Sequence, residues 1–169
     1  MKFIINSKQY GFLLEGEIAS KKYDAILIGG LEHREGDKPL PEQISLLASG
    51  LGKFNIKGFH HNDSIDKILN FMEQNPKKPI YLFSAGCVHS KDISASPHSD
   101  LSRIYVIEPF APSRTTKKSV EDSVSNGVPS YNVFVGPTSG RGLGVIKGAR
   151  SSRAKSHWDA LTTVGSMTK

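Results

Sequence analysis

The chain has 169 residues, 37% hydrophobic and 22% charged, with one cysteine and a net charge of +6. These figures describe a single globular domain large enough for a sizeable core, without an internal disulfide. No apolar run approaches the roughly 20 residues that span a bilayer, and Met1-Lys2-Phe3-Ile4-Ile5-Asn6 lacks the apolar core and cleavage site of a secretory leader. A reducing, cytoplasmic compartment with no membrane partner is the expectation.

Residues 2–16 read as two short strands, Phe3–Ile5 and Gly11–Leu14, joined by the turn Asn6-Ser7-Lys8. They predict an N-terminal β-hairpin within residues 1–20. Tyr23–Ile28 reads as a buried strand closed by Gly29-Gly30. Ile44, Leu47, Ala48 and Leu51 then recur at helical spacing, and the segment stops at Gly50 and Gly52. Asn55–His60 is a shorter strand. Asp63 reads as the N-cap of a helix that places Ile65, Ile68, Leu69 and Met72 on one face and ends before Pro76.

Ile80–Phe83 is the third apolar strand, and Ser84 to Ala95 reads as a turn and helix. Arg103–Ile107 is strand again, closed by Glu108-Pro109. A short helix is expected over Ser119–Ser125, ended by Asn126-Gly127. Tyr131–Val135 is the last predicted strand. Residues 136–156 read as a Gly-rich basic loop, and Trp158–Val164 as a closing helix. Alternating strands and helices with near-continuous apolar strands predict an α/β fold. Its central sheet would be mostly parallel, with about five strands flanked by helices in a three-layer sandwich. Ligands of such sheets bind at the carboxyl ends of the strands.

Those ends carry the chemistry. Ser84 stands at the tip of the middle strand in Phe83-Ser84-Ala85-Gly86, where a tight strand-to-helix turn would present its hydroxyl and needs a small residue at Gly86. A hydroxyl attacks only when a base takes its proton, and His157, after the last strand, is the candidate base. Between Asp122 and Asp159 there is no carboxylate, so Glu108, at the end of the next strand, is the candidate acid. Backbone N–H groups of Gly30 and Ala85 are the candidate oxyanion donors. Each residue also has a plainer reading: a Ser that caps a helix, a surface His beside a core Trp, and a Glu paired with an Arg. Cys87 is the rival nucleophile, against a plainer reading as a small buried hydrophobe. His60 and His61 are adjacent at a strand end, a poor chelating pair, and no spacing resembles a structural zinc site. Neither metal nor cofactor is expected.

From Ser123 onward Asp159 is the only acid, whereas Arg141, Lys147, Arg150, Arg153, Lys155 and Lys169 are basic. That asymmetry suits either a solvated surface or a contact for phosphate or an acidic protein. Arg141, in the glycine-rich run 136–144, is the candidate anion contact. The run is not a Walker loop, because the Lys-Ser/Thr pair is missing.

Over residues 23–165 the chain resembles a minimal α/β-hydrolase. The resemblance rests on the strand-helix order, on Gly29-Gly30, on Phe83-Ser84-Ala85-Gly86 and on His157-Trp158-Asp159-Ala160-Leu161. Leu82 stands where such enzymes usually have a small residue, and the acid is displaced to an earlier strand. The resemblance implies a serine hydrolase acting on an ester, thioester or amide, with Ser84, His157 and Glu108 as its triad. The alternative is a non-catalytic binding or assembly module on the same scaffold, docking an acidic partner or a phosphate ligand through the basic C-terminal region.

Overall fold

The structure is a computed structural model and describes residues 22–32, 35–53, 55–110, 113–136 and 146–169. The expected N-terminal hairpin and Arg141 lie outside these residues. In chain order the elements are β1 (Ala25–Ile28), α1 (Leu40–Leu51), β2 (Ile56–Phe59), α2 (Ile65–Gln74) and β3 (Ile80–Phe83). A 3₁₀ turn over Ser84–His89 leads into α3 (Ser90–Ala95). Then follow β4 (Ile104–Ile107), α4 (Arg114–Ser125), β5 (Val133–Val135), β6 (Arg150–Ser151) and α5 (Asp159–Met167).

The six strands form one sheet in the order β2-β1-β3-β4-β5-β6, and every pairing is parallel. The sequence reading foresaw five of them. β6 is the addition: two residues from the expected loop pair with β5, Phe134 opposite Arg150 and Val135 opposite Ser151. The chain goes from β1 outward to β2, returns to β3 on the other side, and continues away. The order therefore reverses between β1 and β3, where doubly wound sheets open a crevice beyond the carboxyl ends of their strands.

Period-2 alternation divides the strands between two cores. Leu27, Tyr81, Phe83, Ile107 and Phe134 face α1 and α5 through Leu47, Leu51, Leu161 and Val164. Ile26, Ile28, Leu82, Val106 and Val133 face Ile68 and Met72 of α2, Ile93 of α3 and Val120 of α4. Each fully buried Ile or Leu contributes about 1.5–3 kcal/mol, so strands of three or four residues suffice when both faces are covered.

Caps explain where the helices differ from the periodicity. The N-cap of α2 is Ser64, whose Oγ accepts from Lys67 N at 3.3 Å. Asp63 instead accepts from His60 N at 2.8 Å and pairs with Lys67, and these interactions hold its carboxyl below the usual range against the opposing effect of partial burial. α4 begins five residues earlier than the apolar spacing suggested, because Ser113 Oγ caps it by accepting from Thr116 N at 3.2 Å. Among the described residues, no helix is long and apolar enough to cross a membrane.

Candidate active site

Four non-glycine residues among those described have a left-handed backbone: Lys77, Ser84, Glu108 and Arg153. Three of them lie just beyond the carboxyl ends of β3, β4 and β6. A non-glycine residue in this region carries strain and persists only where its surroundings enforce it.

Ser84, at φ 53°, turns the chain sharply out of β3. The turn passes so close to the end of β1 that a Cβ on Gly86 would lie 2.4 Å from Ile28 O, which bears out the need for a small residue there. Phe110 N donates to Ser84 O at 3.1 Å, tying the segment after β4 to the same turn. The Leu82 side chain is fully buried in the core facing α2, α3 and α4.

Glu108, at φ 47°, follows β4 and is completely buried. Strict alternation past Ile107 would send residue 108 towards α2–α4, and the left-handed backbone ends that alternation. Its Oε2 lies 3.5 Å from His157 Nδ1. Its Oε1 lies 3.4 Å from Ser152 Oγ. Gly136, at the end of β5, makes room for the carboxylate, since a Cβ there would fall 1.5 Å from Oε1.

His157 is placed by the start of α5, where Asp159 N donates to Ser156 Oγ at 3.2 Å. Its ring packs 4.6 Å from that of Phe83, the residue before Ser84, and edge-on to Trp158 at 5.3 Å. The structure thus brings the predicted acid and base into contact and puts the base against the residue that precedes the predicted nucleophile. Ser84 itself is only 4% exposed and His157 is 25% exposed. The histidine is the more open side of the group.

Gly30 behaves differently from the expectation. Its N–H donates to Gln43 Oε1 at 2.8 Å, and Gln43 Nε2 in turn donates to Lys38 O at 2.7 Å. Gln43 is fully buried, so this amide is held by the protein rather than presented to a ligand. The neighbouring Gly29 N–H is likewise taken by Phe59 O at 2.9 Å. Of the two expected oxyanion donors, Ala85 lies in the 3₁₀ turn directly after Ser84.

Cys87 is fully buried, with Sγ directed at Leu82 O at 3.2 Å. Burial pushes its thiol well above the ordinary range, the opposite of what an attacking thiol needs. His60 Nδ1 pairs with Glu32 at 2.7 Å, while His61 O is bonded to His89 Nε2 at 2.8 Å. The rings of His60 and His89 are thus engaged at the neighbouring strand end, and His61 contributes its backbone carbonyl. The sequence reading missed Ser152 and Gln43. Neither residue type carries a signal by itself when it stands in a loop or on a helix.

The chain matches no protein-family model, no curated protein and no solved structure.

Proposed function

We propose that this chain is a serine hydrolase acting on an ester, thioester or amide. The observation that carries the reading is the contact between a fully buried Glu108 carboxylate and His157 Nδ1, with the His157 ring packed on Phe83, the residue before a serine in a strained turn at the end of the middle strand. With Nδ1 facing the carboxylate, Nε2 is the nitrogen that serves as base. In the reaction Ser84 Oγ attacks the substrate carbonyl, its proton passes to His157, and the imidazolium returns that proton to the leaving group. Glu108 fixes the ring and stabilises its positive charge. The 3.5 Å contact is long, as catalytic hydrogen bonds often are without substrate. Ala85 N–H is the donor assigned to the oxyanion.

Two observations favour a second reading, a binding module on the same scaffold. Gly30 N–H is closed off by Gln43, and Lys147, Arg150, Arg153 and Lys155 are all exposed along the segment that leads to His157. That basic strip suits an acidic protein or a phosphate ligand.

Labelling with a fluorophosphonate separates the two readings. The native chain is expected to label on Ser84, and Ser84→Ala and His157→Ala are expected to remove labelling. Glu108→Gln should slow it by about 10²–10⁴-fold. A folded native chain that does not label ends the hydrolase reading and directs attention to salt-sensitive partners of the basic strip.

A further inference from the structure

We propose that Ser152 is a positioning residue for the site: its hydroxyl donates to Glu108 Oε1 and so aims Oε2 at His157. The catalytic consequence rests on the serine-hydrolase reading, whereas the contact itself does not.

Ser152 is fully buried, as is Glu108. A buried carboxylate needs donors, because an unsatisfied charge in the interior is strongly unfavourable. Ser152 Oγ lies 3.4 Å from Glu108 Oε1 and also accepts from Ala154 N at 3.3 Å. An ionised carboxylate only accepts, so in this contact the hydroxyl donates to it. The backbone of Ser152 is fixed as well, since its N–H donates to Val135 O at 2.8 Å. This last bond extends the pairing of β5 and β6 by one rung. It gives the two-residue strand β6 a purpose, which is to hold Ser152 at a set height over the sheet.

Gly136 completes the arrangement from β5, because any side chain there would displace Oε1. Ser152 stands five residues before His157 on the same segment. The segment that carries the base therefore also contacts the acid, through a serine whose N–H is held on β5. Among the described residues, the titratable groups seen to interact with Glu108 are His157 and Cys87, and burial keeps the thiol of Cys87 protonated.

Two readouts on Ser152→Ala and Ser152→Cys test this. The first is the pH profile of fluorophosphonate labelling. Without the donor the carboxylate binds a proton more readily and pulls harder on the imidazolium, so the acidic limb moves to higher pH. The expected shift is about one unit with Ala, less with Cys, and labelling below neutral pH slows about tenfold. Mere loss of folded protein would lower labelling equally at all pH and leave the limb in place, and that result overturns the proposal. The second readout is the downfield proton resonance of His157 Nδ1–H, which needs no catalysis. A resonance that moves in Ser152→Ala while native protein fails to label would retain the positioning role and discard the hydrolase reading. An unmoved resonance in both variants overturns the positioning role whatever the labelling. Should Ser152→Ala not fold, Ser152→Cys, of nearly the same size and a weak donor, carries both measurements.

Discussion

The two ends of β3 have the same backbone oddity and opposite surroundings. Before the strand, Lys77 adopts φ 60°; after it, Ser84 adopts φ 53°. Lys77 is exposed, its N–H donates to His98 O at 2.8 Å, and its ammonium reaches Pro97 O and Ser99 O. Every group of that turn is used to close a loop. Ser84 is buried, its carbonyl accepts from Phe110 N, and the residue before it packs on His157, which in turn meets Glu108. Left-handed strain alone does not mark a site. The proposed site adds to that strain a buried acid in contact with a histidine, and among the described residues no such pair is seen around Lys77.

The largest expected effect that can break this comparison is at Gly136. The substitution Gly136→Ala sets a methyl 1.5 Å from Glu108 Oε1, so the buried carboxylate must shift. Glu108 has to leave its place, and an orphaned buried charge costs about 3–5 kcal/mol. Urea unfolding should show a loss of at least about 3 kcal/mol, and surviving folded protein should not label. A stable, fully labelling Gly136→Ala would mean that the carboxylate can sit elsewhere and that the carboxyl end is no more constrained than the turn at Lys77.

How much of this was open to a reader of the sequence depends on where the signal lies. β1 to β5 stand out because a parallel strand buried on both faces is a run of apolar residues with a turn at its end, as Ile80–Phe83 and Ile104–Ile107 are. Ser84 and Glu108 could be placed in the fold for the same reason, each following a strand whose end could be located, and His157 could be placed by the closing helix it precedes. β6 was not, since Arg150–Ser151 is two exposed residues defined only by pairing with β5. Ser152 was hidden with it. The role of Gln43 was hidden too, because a glutamine on an amphipathic helix looks solvated until Gly30 is seen to donate to it. The early start of α4 depends on a serine cap before a polar run, Arg114-Thr115-Thr116-Lys117-Lys118, in which no apolar period exists.

A smaller effect compares the two ends by titration. Towards the amino end, Tyr81 Oη bonds Thr168 Oγ1 at 3.0 Å, and burial pushes its phenol up to about 12. Beyond the carboxyl end, burial pushes the Cys87 thiol up, and the charge of Glu108 adds to it. Both acids are held protonated in the fold and ionise earlier when unfolded. From the ordinary thiol value of 9.0 upward, and for the phenol between 10.0 and about 12, the unfolded chain binds fewer protons than the folded one. Stability is therefore intact below pH 9 and falls as pH rises, by up to about 1.4 kcal/mol per pH unit for each group. Urea midpoints taken from pH 8 to pH 11 should decline, with Tyr81→Phe removing the later part of the slope. Cys87 should resist alkylation until the protein unfolds. Ready alkylation of native protein at pH 8 would contradict the burial that excludes it as a nucleophile.

The smallest effect discriminates best. A left-handed backbone costs a non-glycine residue about 1–2 kcal/mol, and glycine gives back part of the gain through its freer unfolded chain, about 0.5–1 kcal/mol. Ser84→Gly should thus stabilise the fold by about 1 kcal/mol while removing all fluorophosphonate labelling. Lys77→Gly should gain less, about 0.5 kcal/mol, because it also gives up the ammonium bonds to Pro97 O and Ser99 O, and it should label as the native chain does. Thermal unfolding of the two variants side by side measures the difference directly. A gain at Ser84 means that strain is kept there for the sake of the hydroxyl, which is how a nucleophile differs from a cap. A loss at Ser84, with a gain at Lys77, would mean that the serine side chain stabilises its turn, and the site would then be a well-packed corner of the sheet rather than a place of reaction.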